Sequence, residues 1–206
     1  MNALDKIFGS AVKVKILRLF LFNPEAAYDL DDLAEKTRSR LSEVKKEVAL
    51  LNGTGLLKRK AFVKEFTKKK GKKAIVSKRK VKGFTLDQKF EHLASLQAML
   101  IHTTPLSYDE VAKRFSASGK IKLLIVSGIF NQQWDSRVDL LIVADNLRKT
   151  HVENAVKNIE SEVGRELKYT AFETTDFQYR LGMFDKLVRD ILDYPHEKLV
   201  NKLGLE

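Results

Sequence analysis

Residues 41–84 read LSEVKKEVALLNGTGLLKRKAFVKEFTKKKGKKAIVSKRKVKGF. Leu41, Val44, Val48 and Leu51 fall at i, i+3, i+7 and i+10, the spacing that lines one side of a helix, and Asn52-Gly53 closes it. From Gly55 to Lys60 the chain takes up strand character, Gly71 sits at a loop tip within Lys68–Lys73, and Ala74 to Phe84 alternates well enough to be a returning strand. Helix, tight turn and hairpin follow directly on one another. The hairpin also holds the charge: between Leu56 and Lys82, thirteen Lys or Arg stand against a single acid, Glu65. A local charge of +12 repels itself until a polyanion neutralises it, and phosphate backbones do so with release of counterions.

Toward the amino terminus, Ile7, Val14, Leu17 and Leu21, with Ile16 and Phe20 beside them, predict an amphipathic helix from Lys6 to Phe22 that stops at Asn23-Pro24. Asp29 is placed to N-cap a short helix through Lys36 whose inner face is Leu30, Leu33 and Ala34, and Thr37-Arg38-Ser39 forms a turn. The exposed side of the third helix then presents Arg40, Ser42, Lys45 and Lys46.

This order resembles that of winged helix-turn-helix transcriptional regulators, over about residues 5 to 84. YDLDDLAEKT at 28–37, SRLSEVKKEVALLNGTGLLKR at 39–59 and the basic hairpin are similar to the family's positioning helix, recognition helix and wing. The resemblance implies double-stranded DNA as the partner. Arg38, Arg40, Ser42, Lys45 and Lys46 would then read or clamp the major groove, and Lys58, Arg59, Lys60, Lys68, Lys69, Lys70, Lys72 and Lys73 would grip backbone or minor groove. Taken singly, each residue also fits the solvated face of a helix or strand. Phe62 and Phe66, inside the basic stretch, read as packing of the wing rather than as platforms for unpaired bases.

Residues 1–83 hold 22 basic and 9 acidic side chains, and the rest hold 16 basic and 18 acidic, so the positive field belongs to the front. The absence of Cys removes disulfides, thiolate zinc sites and a cysteine nucleophile, and His92, His102, His151 and His196 lack metal-ligand spacing. Lys13, Lys15 and Arg18 break the first apolar face, so neither a secretory signal nor a membrane span is expected, and the location expected is cytoplasmic. Phe90, Leu93, Leu96 and Leu100 predict a helix from Thr85 to Ile101, able to pack on the front domain or to pair two copies into a homodimer. A second short helix, Asp109 to Phe115, leads to a flexible turn at Ser116–Gly119.

In the rear, Ile121–Ser127 and Val138–Val143 read as buried strands, Arg148–Val163 as a helix and Leu167–Phe172 as a third strand. The tail reads as helices with Phe177, Leu181, Phe184, Leu187 and Ile191 as apolar anchors, interrupted at Tyr194-Pro195. VSGIFNQQWDSRVDLLIVADN at 126–146 resembles the signature of the polymerase beta-like nucleotidyltransferases, in its minimal members. By that resemblance Ser127-Gly128-Ile129 is the Gly-Ser turn, with Ile129 where the hydroxyl should meet phosphate. Ser136 takes the motif serine, Arg137 falls on the first metal-binding aspartate and Asp139 keeps the second. The third strand reads Leu167-Lys168-Tyr169-Thr170, without the family's carboxylate in its central position; Asp135 and Glu166 are the substitutes near in sequence, but Asp135 precedes the second strand and Glu166 precedes Leu167 by one residue. A guanidinium where two dications should sit opposes magnesium, so no metal and no cofactor are expected, and Arg137 is expected to pair with Asp139.

The expected fold class is α+β: a winged-helix domain at 1–84, a helical linker at 85–117 and a nucleotidyltransferase-like domain at 118–206. The expected function is DNA-binding transcription regulation by a non-enzyme whose degenerate rear domain serves docking, dimerisation or sensing, including a protein partner. The alternatives are an active nucleotidyltransferase with a nucleic-acid-binding winged helix, and an antitoxin-like interaction protein.

Overall fold

The computed structural model describes residues 3–70, 73–101, 106–134 and 136–205, with side chains described outside 67–70 and 73–75. It is a mixed α+β chain with two small sheets, and it divides into two compact units, Met1–Ile101 and His102–Glu206. Among the described residues no helix is long and apolar enough to cross a membrane.

The front unit begins with α1 (Ala3–Ile7) and α2 (Ala11–Phe22). The single helix expected from Lys6 to Phe22 is broken because Gly9 takes a left-handed φ of 74° and the Ser10 hydroxyl accepts the Lys13 N–H as an N-cap. Ile7 consequently lies outside the core, 67% exposed. Val14, Ile16, Leu17, Phe20 and Leu21 of α2 are buried. The three cations that interrupt this face each reach an internal acceptor: Lys13 Nζ lies 3.4 Å from Glu47, Lys15 Nζ donates to the Thr37 carbonyl, and the buried Arg18 donates through Nε to the Leu100 carbonyl.

A short strand β1 (Ala27–Tyr28) leads into α3 (Leu30–Thr37), where Asp29 and Asp32 form a reciprocal capping box. Arg38 takes the left-handed conformation at the helix end and turns the chain into α4 (Leu41–Gly53). Val44, Val48 and Leu51 of α4 are buried as expected and Glu47 is buried beside them, whereas Leu41, expected on the same face, is 37% exposed. Strands β2 (Leu57–Lys70) and β3 (Lys73–Leu86) pair antiparallel from Leu57↔Leu86 to Lys70↔Lys73, and β1 adds to β3 only at Thr85 and Phe84. The result is a ribbon of fourteen-residue strands, about 45 Å long at the usual rise. Beyond its base it is two-stranded.

The segment 85–117, expected as a linker, is shared between the units. Its first part ends β3 and continues to α5 (Leu93–Leu100), shorter than expected, which packs Phe90, Leu93, Leu96 and Leu100 into the front core. That apolar face packs, partly buried, within the unit, which is the first of the two uses expected for it. Its second part holds α6 (Tyr108–Arg114) of the rear unit, capped by Ser107 and Glu110.

The rear sheet has the order β6-β5-β4-β7. Strands β4 (Lys120–Val126) and β5 (Leu140–Asp145) are antiparallel and buried over Leu123–Val126 and Leu140–Ala144, while α7 (Lys149–Val163) carries the chain from β5 to the parallel β6 (Tyr169–Glu173). Helices α8 (Thr174–Gly182) and α9 (Lys186–Asp193) follow. Phe177 and Ile191 are buried as expected, but Phe184, at a left-handed φ of 53° in the turn between them, is 73% exposed and anchors nothing. The chain then forms an edge strand, β7 (Glu197–Asn201), beside β4. The helical expectation for the tail missed it, since its half-buried edge carries no clean alternation of apolar and polar residues.

At the ribbon base, a Cβ on Gly83 would collide with the Tyr28 carbonyl oxygen and stand 2.7 Å from the Phe62 ring. Backbone on one side and a ring on the other leave no room for a methyl group. Gly83→Ala should therefore cost the front unit about 1–3 kcal/mol, read as a lower denaturant midpoint for the loss of its structure.

Candidate functional site

Antiparallel register and alternation sort the ribbon side chains onto two faces. One face joins the helical core at its base through Leu57, Phe84 and Leu86, and continues outward with Arg59, Val63, Lys78, Lys80 and Lys82. Val63 is 64% exposed there. The three lysines of β3 alternate along the strand, which spaces them roughly 6.7 Å apart. Lys78 pairs with Glu65 at 3.0 Å. The sequence expectation did not single out Lys80 and Lys82, although their alternation with Val81 was the available signal.

The opposite face carries Lys58, Lys60, Phe62, Lys64 and Phe66 of β2 with Arg79 and Gly83 of β3. Lys58 is paired with Asp87 at 2.7 Å, and that bond, with a further one from the Lys89 N–H, holds the Asp87 carboxyl below its ordinary value. Lys64 reaches Asp29 at 2.7 Å and Asp32 at 2.6 Å, the two residues of the α3 capping box. Phe66 lies against two cations, with Lys64 Nζ 5.6 Å and the Arg79 guanidinium 5.7 Å from its ring centre. Phe62 packs over Gly83. Both aromatics are half-buried in the ribbon.

Arg38, Arg40, Ser42, Lys45 and Lys46 are all exposed. Arg40 occupies the N-cap of α4 without a side-chain cap bond, and the first turn behind it, from Leu41 to Glu43, is exposed as well. The α3–α4 pair is held from behind by the α2 lysines bonded to Thr37 and Glu47. Arg59 and Lys60 are exposed on opposite ribbon faces. The side chains of Lys68, Lys69, Lys70 and Lys73, and Gly71 and Lys72 entirely, lie outside the described residues.

In the rear unit, Ser127, Gly128, Ser136 and Asp139 come together and Arg137 departs from them. The Asp139 side chain accepts the Ile129 N–H at 3.1 Å through Oδ1 and the Lys168 N–H at 2.8 Å through Oδ2, and the residue is 6% exposed. The Ser127 hydroxyl lies 3.1 Å from that of Ser136 and bonds to the Val138 carbonyl, which also accepts from Ser136 at 2.8 Å. A 3₁₀ turn, Gly128–Asn131, follows, with Ile129 buried. Gly128 holds a φ of 59°, and a Cβ there would strike Asp139 Oδ1. The expected Arg137–Asp139 pair is not made. β5 begins only at Leu140, so residues 137 and 139 do not share a strand face, and Arg137 instead meets Asp190 of α9 at 2.6 Å. Among the described residues no group of three or more His, Cys, Asp or Glu is arranged to hold a metal ion. Asp135 lies outside them.

Comparison with protein-family models, with curated proteins and with solved structures finds no match for this chain.

The Lys64 cluster carries a pH dependence. Burial alone would raise the Asp29 carboxyl, but hydrogen bonds from Lys64 and the Asp32 N–H outweigh it and hold the carboxyl below its ordinary value. Burial alone would lower Lys64, and its bonds to Asp29 and Asp32 outweigh that and raise it. A lowered carboxyl stabilises fully above its unfolded value and loses this as pH falls through the folded one, whereas a raised ammonium stabilises fully below its unfolded value and loses this as pH rises through the folded one. The cluster is thus intact across neutral pH. In Lys64→Met the front unit should lose part of its acid-side fall in stability, measured as denaturant midpoint against pH, relative to the unaltered chain.

Proposed function

We propose that this chain is a DNA-binding transcriptional regulator. Its front unit would bind duplex DNA in the winged-helix manner, with α4 toward the major groove and the β2–β3 ribbon along the phosphates. The observation that carries this is the meeting, in one unit of high positive charge, of the exposed cations Arg40 at the N-cap of α4 and Lys45 and Lys46 in its second turn with a ribbon face that continues outward as Arg59, Lys80 and Lys82. Lysine supplies point charge for phosphate, while Arg38 and Arg40 have the planar fork suited to base edges.

The rear unit is best described, within the same proposal, as a nucleotidyltransferase-like module without activity. Both carboxylate oxygens of Asp139 are engaged by backbone N–H groups, and Arg137 is committed to Asp190. A docking role for this unit is supported by the exposed Tyr179, Met183 and Phe184 around the end of α8.

DNA affinity, followed by fluorescence anisotropy, should fall steeply with salt, with a slope near −0.9 for each phosphate neutralised. Replacing Lys80 and Lys82 together by Ala should flatten that slope and weaken binding to all sequences alike. Arg40→Ala or Lys45→Ala should instead change the preference among sequences, by about 1–3 kcal/mol for each good base contact. Affinity indifferent to salt would refute the proposal.

No nucleotidyl transfer is expected from ATP, GTP, CTP or UTP with magnesium or manganese, to the chain itself or to RNA. A radiolabelled assay checks this, and label incorporated by the unaltered chain would restore the enzyme alternative.

A further inference from the structure

Lys64 belongs by composition to the basic stretch, yet its ammonium is turned onto two carboxylates of the helix that precedes α4. The sheet is three-stranded only at Thr85 and Phe84, where β1 pairs, and farther out the ribbon stands as two strands. An isolated two-stranded ribbon is marginal in water, and like charges placed directly opposite across it repel. Lys64 and Arg79 are such an opposed pair. Asp29 and Asp32 draw Lys64 inward, Phe66 lies against both cations, and the side chains of Lys64, Asp29 and Asp32 are 22%, 14% and 22% exposed. The contact joins the outer ribbon to the start of α3, and α3 is joined to α4 by the short turn at Arg38.

We infer, resting on the DNA-binding proposal, that Lys64 is a positioning residue of the interface. It contacts no phosphate, and with Asp29 and Asp32 it fixes the angle of the ribbon relative to α4, so that helix and ribbon meet one duplex together. The sign of the charge effect distinguishes this from general electrostatics. Asp32→Asn removes one negative charge, which by itself tightens binding to a polyanion. If the carboxylate is needed to hold the ribbon, the same change weakens binding.

The test uses the full chain and a fluorescent duplex across a salt series, with amide hydrogen exchange on the chain without DNA. Asp32→Asn and Lys64→Met are each expected to weaken binding about fivefold or more, to leave the salt slope unchanged, and to speed exchange in the ribbon at 57–66 and 76–86. Lys64→Arg, which keeps the cation, should recover most of the affinity. Tighter binding by Asp32→Asn, or a slope reduced by about 0.9 in Lys64→Met, overturns the inference, the second outcome making Lys64 a phosphate contact. If the unaltered chain binds no duplex, the DNA-binding proposal falls. Exchange then decides the remaining structural claim: faster exchange in both variants upholds the clamp on the ribbon, and unchanged exchange overturns it.

Discussion

Repulsion within the ribbon is the constraint around which the front unit is arranged. Two strands carrying most of the unit's lysines gain little from pairing alone, because a hairpin with one open face buries too little apolar surface to order itself. The structure answers at three levels along its length. At the base, Leu57 and Leu86 are buried in the helical core, with Phe84 packed against it. In the middle, Phe62 packs over Gly83, Phe66 takes two cations against its ring, and Lys64 is neutralised by the capping box of α3. On the surface, Glu65 and Asp87 neutralise Lys78 and Lys58. What is left facing outward is a subset chosen by geometry, and that subset, rather than the total count, defines the surface offered to a polyanion.

The same sorting explains how far the front unit was legible in its sequence. Helices α3 and α4 and the hairpin follow from apolar spacing, the Asp29 cap and the Asn52-Gly53 stop, all local signals. The break in the first helix was also local, in Gly9-Ser10, but the apolar residues on either side mask it. Lys13, Lys15 and Arg18 were not legible at all. On α2 they look like interruptions of an apolar face, and their acceptors on Glu47, Thr37 and Leu100 lie far along the chain. Arg18 on the Leu100 carbonyl places a cation at the carboxy-terminal end of α5, where the helix dipole favours it. It thereby helps fasten to the front unit a helix whose apolar face, read in isolation, was equally suited to a second copy.

Long-range pairing is likewise what the rear unit conceals. The strands and α7 announce themselves through continuous apolar runs and helical spacing, whereas β7 exists because β4 presents an edge to it. Arg137 shows the hazard of extending regular alternation outward beyond where the strand begins. Had β5 begun at Arg137, residues 137 and 139 would share a face; with Leu140 first, the Asp139 carboxylate turns inward to the amides of Ile129 and Lys168 and Arg137 is left to α9.

That inward carboxylate changes what the Gly and Asp letters mean. Asp139 is buried, and a buried carboxylate is tolerated only when its oxygens find donors. The donor from Ile129 exists because the chain turns sharply at Gly128, and the turn is open only to glycine, since its φ is positive and Asp139 Oδ1 fills the place of a Cβ. Ser127 and Ser136, joined at the Val138 carbonyl, close the other side. Glycine, serine and aspartate at these positions therefore satisfy one another as a self-consistent turn between β4 and β5. The letters at 127, 128, 136 and 139 are thus accounted for by the turn that they build together.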